Sequence, residues 1–286
     1  MPDIKKQKIL DGDWDYLIIL DACRYDYFKQ LYKNYDNLKE GDLEKRESRG
    51  SCTAEWLYKT FTEPLPNTKY ISTNPFVNSD GVPLDKSTQD FEFKWNPTEH
   101  FKEVIDLWKY SWDDKLGTVL PKEVNKSVKK NINHNKLIIH YMQPHIPYLT
   151  NPEEPPTTHS RKKIMGSSQK SKRKIIKAIK PLVAPVWSLM SREDRWKIKK
   201  LLGFEINTIG RLYLQGRVEE LKKYYQENLE IVLEKVENLI EHLDGKIVIT
   251  ADHGEAFGER GEWSHPGNRN IPTLKEVPWL KINEGR

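Results

Sequence analysis

Ile247-Val248-Ile249-Thr250-Ala251-Asp252-His253-Gly254-Glu255 is a β-branched apolar run that leads straight into adjacent Asp and His, with Gly behind them. It reads as a buried strand whose carboxyl end presents two metal-type ligands at a tight turn. Near the other end of the chain, Tyr16-Leu17-Ile18-Ile19-Leu20 finishes the same way, on Asp21. Two parallel strands of this kind place their last residues at one edge of one sheet, and in open α/β sheets that edge is where sites form. Taken singly, Asp21 would cap the next helix, and Asp252-His253 would make a polar turn, as readily as either would bind an ion. The repetition of the pattern favours the ion. Carboxylate with imidazole suits Zn²⁺ or Mn²⁺, whereas carboxylate alone suits Mg²⁺ or Ca²⁺.

Working outward, Lys136-Leu137-Ile138-Ile139-His140-Tyr141-Met142 is a third strand, and it runs into the Pro-bounded loop Gln143-Pro144-His145-Ile146-Pro147-Tyr148. Lys69 to Thr73 and Leu43 to Glu47 are shorter strand candidates. The stretch Arg24 to Tyr35 reads as a helix, as does Ala54 to Phe61, where Trp56, Leu57 and Phe61 share a face. Gly216 to Leu243 carries apolar residues at helical spacing from Val218 to Ile240 and is the longest helix. Val277 to Ile282 reads as an edge strand, because Pro278 removes a donor. Strands alternating with helices predict an α/β fold, with a mainly parallel central sheet and helices on both faces. Residues 1–286 read as one domain carrying an insertion or lid at about 151–215. No acidic residue occurs from Pro155 to Arg192, and Lys and Arg cluster between Arg161 and Lys180. Such a basic segment with apolar neighbours is a candidate for peripheral contact with anionic lipid.

The chain has 286 residues, net charge +5, 37% hydrophobic and 31% charged residues, nine Trp and thirteen Tyr. That balance is polar but globular, and the modest excess of positive charge does not indicate nucleic-acid binding. Two cysteines, Cys23 and Cys52, do not indicate a disulfide framework, which fits a reducing compartment. The N-terminal residues lack the apolar core of a signal peptide and no run would span a bilayer, so the expected location is cytoplasmic.

Several further residues bear on chemistry. Arg49-Gly50-Ser51-Cys52-Thr53 precedes a predicted helix, where backbone N–H groups favour an anion and a hydroxyl could serve as nucleophile. Arg24 and Arg49 are candidates to neutralise a transferred anion. His145 is held between prolines, and His265 lies in the turn Trp263-Ser264-His265-Pro266-Gly267.

These segments resemble the alkaline phosphatase superfamily, specifically its sulfatase-like and phosphoglycerol-transferase-like branch. Leu20-Asp21-Ala22-Cys23-Arg24 resembles the first metal-binding segment. Ile249 to Glu259, with Asp252-His253-Gly254-Glu255 inside it, resembles the second. Pro144-His145-Ile146-Pro147-Tyr148 resembles the family's Pro-His-x-Pro segment, and Trp263-Ser264-His265-Pro266 resembles its late His segment. The resemblance implies a divalent cation held by Asp21, Asp252 and His253 together with the nucleophile. It also implies that His145 and His265 hold the substrate's anionic oxygens or protonate the leaving group. The nucleophile is expected at Ser51, four residues before Glu55 as in the phosphoglycerol-transferase pattern, with Thr53 second. Cys52 lacks the following Pro and Arg that sulfatase maturation needs, so a phosphoester or phosphodiester is favoured over a sulfate ester. Tyr141 stands where two-metal members carry an Asp. The alternatives are a sulfatase, or a non-catalytic protein that binds a glycan, a lipid head group or a partner on the same fold.

Overall fold

The computed structural model describes residues 4–89, 91–132, 136–153, 190–204 and 206–282. Seven strands form the central sheet: β1 (Tyr16–Leu20), β2 (Asp42–Glu47), β3 (Leu65–Ser72), β4 (Phe101–Asp106), β5 (Lys136–Tyr141), β6 (Ile247–Thr250) and β7 (Glu276–Ile282). Their spatial order is β2-β7-β6-β1-β5-β3-β4. Strand β1 pairs in parallel with both β5 and β6, and β3 pairs in parallel with β5 and β4. Only β7 runs against the rest. The central strands β1 and β6 are buried along their whole length. This is why they read as continuous apolar runs rather than alternating ones.

Both faces of the sheet are covered. On one side Tyr16, Ile18 and Leu20 pack with α1 (Tyr25–Leu31), α3 (Pro121–Lys129) and the long α6 (Val218–Ile240). On the other side Leu17 and Ile19 meet Trp56 and Leu57 of α2 (Thr53–Thr60), together with Phe61, Trp95 and Phe101. Residues that alternate along β1 therefore divide between two cores. A third cluster joins α4 (Arg192–Leu201) and α5 (Thr208–Leu214) to α6 through Trp196, Ile209, Leu212, Leu221 and Tyr225.

Two expectations change or fall outside the description. Strand β7 lies between β2 and β6, not at an edge. Pro278 is tolerated there because pairing with β6 begins only at Trp279↔Thr250. Its carbonyl accepts from the Thr250 hydroxyl, so its missing N–H faces the space past the end of β6, where no ladder bond is lost. The Arg161–Lys180 cluster, and with it the proposed lipid contact, lies outside the described residues. Of the residues expected to form an insertion, α4 and α5 are described, and they pack against α6. Among the described residues no helix is long and apolar enough to cross a membrane.

Candidate active site and cation centre

Strands β1, β5 and β6 end side by side, and the turns that follow them build the site. Asp21 follows β1. Its N–H donates to Tyr141 O at 3.1 Å, and its carbonyl accepts from His145 N at 3.1 Å, which ties this turn to the β5 turn. Ala22 adopts φ +61°, a left-handed conformation that costs an alanine about 1–2 kcal/mol. It is held there by N–H donation to Asp252 Oδ1 (3.0 Å) and by the Tyr225 hydroxyl donating to its carbonyl (2.7 Å). The strained residue thus joins the ends of β1 and β6.

Asp21, His140 and Asp252 converge, each offering one ligand atom, with all three atoms within 4.8 Å of one another. Asp21 Oδ2 accepts from Asn74 Nδ2, and Asp252 Oδ1 accepts from Ala22 and His253 backbone N–H groups. The remaining atoms, Asp21 Oδ1, Asp252 Oδ2 and His140 Nε2, are buried and lack a hydrogen-bond partner among the described residues. Leaving such groups unpaired in the interior is expensive, and a divalent cation would satisfy all three together. Burial and the neighbouring charge of Asp252 push the Asp21 carboxyl well above its ordinary range. Burial opposes ionisation of Asp252 as well, but His253 and His140 hold it low. Nε2 of His253 lies 3.3 Å from Asp252 Oδ2 and 3.7 Å from Asp21 Oδ1. Its Nδ1–H donates to Gly254 O at 2.8 Å, which fixes the tautomer and turns the Nε2 lone pair toward the carboxylates. His140 is the residue that sequence reading missed. It stands five positions before His145, inside an apolar strand, where an imidazole at the closed end of a buried run was the available signal.

The hydroxyls divide between two surroundings. Thr53 opens α2, and its Oγ1 lies 3.2 Å from His253 Nε2. Ser51 is fully buried and turned the other way: its hydroxyl contacts Glu55 Oε2 (2.8 Å) and Pro266 O (2.9 Å) and accepts from Arg269 N (3.0 Å). Glu55 also accepts from the Ser51 and Asn268 backbone N–H groups. Ser51 and Glu55 together fasten the 48–53 turn to the 265–269 loop. Gly50 allows that turn to lie against α2, since a Cβ there would overlap the Trp56 backbone. Burial pushes the Cys52 thiol up to about 11, so it stays protonated at neutral pH.

His145, Glu255 and His265 form a second cluster. The rings of His145 and His265 lie 4.9 Å apart, and those of His253 and His265 lie 4.6 Å apart, so the two clusters touch. His145 Nδ1–H donates to Ile146 O at 2.5 Å, and His265 Nδ1 lies 3.2 Å from Glu255 Oε2. Neither Nε2 has a hydrogen-bond partner among the described residues. Burial lowers His145 and His265 to about 4 and raises Glu255 to about 7. Asn228, a fully buried polar residue of α6, positions the His145 loop. Its Nδ2 lies 3.0–3.2 Å from the carbonyls of Pro144, His145 and Pro147, and its Oδ1 accepts from Leu149 N. Arg24 spends its donors on Asp26, Glu259 and the Glu255 carbonyl, bracing the first turn against the loop after β6. Arg49 is exposed and lines a neighbouring cavity.

No family model and no curated protein sequence matches this chain. Solved structures do. The integral membrane protein lipooligosaccharide phosphoethanolamine transferase A from Neisseria meningitidis superposes with TM-score 0.51 at 12% identity, over 98% of this chain and 49% of that one. This chain thus spans about half the length of that relative. The soluble domain of the same transferase gives TM-score 0.52 at 12% identity, over 98% of this chain and 79% of that one. The phosphonate monoester hydrolase of Agrobacterium radiobacter gives TM-score 0.51 at 12% identity, over 95% of this chain and 68% of that one. The likeness is one of fold: an α/β domain built on a mainly parallel central sheet. With a full-length relative that is an integral membrane protein, this fold carries no assignment to the cytoplasm.

Proposed function

We propose that this chain is a metal-dependent transferase or hydrolase of phosphoesters or phosphodiesters, with the Thr53 hydroxyl as nucleophile. The observation that carries the reading is the convergence of ligand atoms from Asp21, His140 and Asp252, each of which also carries a buried atom without a hydrogen-bond partner among the described residues, with the Thr53 hydroxyl 3.2 Å from the adjoining His253. Asp21, Asp252 and His253 would hold the cation, with His140 completing the set. When bound, the ion would supply charge stabilisation and a lowered hydroxyl pKa. The chain's own residues do the rest. Thr53 attacks phosphorus, its O–P bond forms as the bond to the leaving alcohol breaks, and its proton passes by way of an imidazole Nε2 to the departing oxygen. Water or an acceptor alcohol then takes the phosphoryl group and restores the hydroxyl. His145, neutral with its proton on Nδ1, offers a bare Nε2 that takes up a proton before it donates to the phosphoryl group or the departing oxygen, and His265 stands beside it. Glu255 fixes the orientation of His265.

The surroundings of the two hydroxyls are the reason Thr53 is favoured. Ser51 is committed to Glu55 and the 265–269 loop, whereas Thr53 faces the cation ligands. With bis(4-nitrophenyl) phosphate as probe, Thr53→Ala is expected to lower kcat by about 10³-fold or more, and Ser51→Ala to leave kcat within about ten-fold. A phosphoryl adduct trapped on the Thr53 peptide, with Cys52 an unmodified thiol in the same spectrum, fits this assignment. Wild-type turnover by Thr53→Ala would refute it. An aldehyde at Cys52 would instead make the protein a sulfatase.

A further inference from the structure

Beside the 48–53 turn lies a cavity of about 610 Å³, and we propose that it binds an anionic saccharide bearing phosphate or sulfate groups. The binding site stands on its own lining and holds whether or not the proposed reaction is correct.

Charge is the first argument. Five cationic side chains, Lys6, Arg49, Lys59, Lys94 and Lys275, line the cavity with a single carboxylate, Glu47. Lys59 is paired with Glu55, and Lys275 lies 3.8 Å from Glu47. Lys6, Arg49 and Lys94 are exposed and form no ion pair among the described residues. Single exposed charges contribute little, but a concave surface lined by one sign concentrates counter-ions. Burial lowers Lys275, against the opposing pull of the Glu47 and Glu55 carboxylates.

Size and shape are the second argument. The volume falls in the range of pockets for drug-sized ligands and far exceeds what a lone phosphate fills. Tyr58, 42% exposed, lines the cavity, and its ring is stacked on Phe93 at 4.4 Å and 11°. A ring held flat in this way offers an amphipathic platform for the apolar face of a sugar, while the lysines take its anionic substituents.

Position is the third argument. Strand β2 runs in the same direction as β1, so Glu47, Ser48 and Arg49 emerge at the edge of the sheet where the catalytic turns lie. The Ser48 hydroxyl donates to the carbonyl of Asp252. The cavity wall and the cation centre therefore share a hydrogen bond.

Calorimetric titration of the full chain tests the proposal. The probes are glucose 1,6-bisphosphate, a disulfated chondroitin disaccharide, tripolyphosphate and sucrose. At least one charged sugar is expected to bind more tightly than tripolyphosphate, with sucrose not binding, and to weaken as salt is raised. Whichever of the two charged sugars binds more tightly shows whether phosphate or sulfate is preferred. The double variant Lys6→Glu/Lys94→Glu should lose at least ten-fold in affinity for charged sugars. Tyr58→Ala should weaken the charged sugars and spare tripolyphosphate. Equal affinity of wild type and the double variant, each shown to be folded by its melting curve, would overturn the site. Tripolyphosphate binding as tightly as the sugars, with Tyr58→Ala silent, would overturn the saccharide. Thr53→Ala should bind as wild type does, so loss of turnover and loss of this site are read separately.

Discussion

At the scale of single residues, the arrangement depends on which polar atoms are left over. Asp252 uses Oδ1 to receive two backbone N–H groups and keeps Oδ2 free; Asp21 uses Oδ2 for Asn74 and keeps Oδ1 free. Glu55 is the opposite case, a carboxylate whose acceptor sites are taken. Burial would raise it, but Lys59 and the Ser51 and Asn268 donors bring it down to about 2. A carboxylate depressed in the folded state adds stability that is complete above its unfolded value near 4.5 and is lost as pH falls toward the folded value. Glu55→Gln is therefore expected to cost about 2 kcal/mol at pH 7. The gap from wild type should close as pH drops from about 4.5 to about 2, measured by urea unfolding across that range. A gap unchanged at pH 2 would contradict the ionised contact.

At the scale of elements, α6 does more than fill the core. Asn228 reaches from its buried face to three carbonyls of the His145 loop. Asn228→Ala is expected to destabilise the protein by about 2–3 kcal/mol. It should also lower kcat by about 10²-fold through displacement of His145, with cation affinity unchanged. Cation affinity falling together with kcat would show that the helix supports the metal ligands instead. The central elements were legible because two-sided burial leaves unbroken apolar runs: β1, β5, β6 and α6 stand where their sequences place them. Strand β4, Phe-Lys-Glu-Val-Ile-Asp, was not legible, since an edge strand keeps charge along its length and shows no continuous apolar run. Pro278 misled for a related reason: it signals a missing donor, and only the register of β6 shows that nothing needed that donor. The metal-type strand ends were readable from Asp21 and Asp252-His253. His140, Glu255 and the Asn228 clamp depend on which side chains the fold brings together, and local pattern does not encode that.

At the scale of the whole molecule, the site joins the two ends of the chain. The N-terminal arm is part of this: buried Gln7 donates to Thr250 Oγ1 and Ala251 O and accepts from Trp56 Nε1, linking the arm, β6 and α2 just beneath the turn that carries Asp252. A cation bound at Asp21, His140 and Asp252 would therefore clamp residues from the first, middle and last thirds of the sequence, and its effect should appear in global unfolding. Without the ion, two buried carboxylates repel, and Asp21→Asn removes one charge while keeping an acceptor for Asn74. The decisive experiment is thermal unfolding of chelated wild type and chelated Asp21→Asn, each then titrated with Zn²⁺, Mn²⁺, Mg²⁺ and Ca²⁺. At least one ion should raise the melting temperature of wild type by roughly 8 °C at a thousand-fold excess over its Kd. Asp21→Asn should melt about 2–4 °C above wild type when chelated and respond little to any ion. No shift of wild type with any of the four ions, or equal shifts in both proteins, would contradict a cation held at these strand ends.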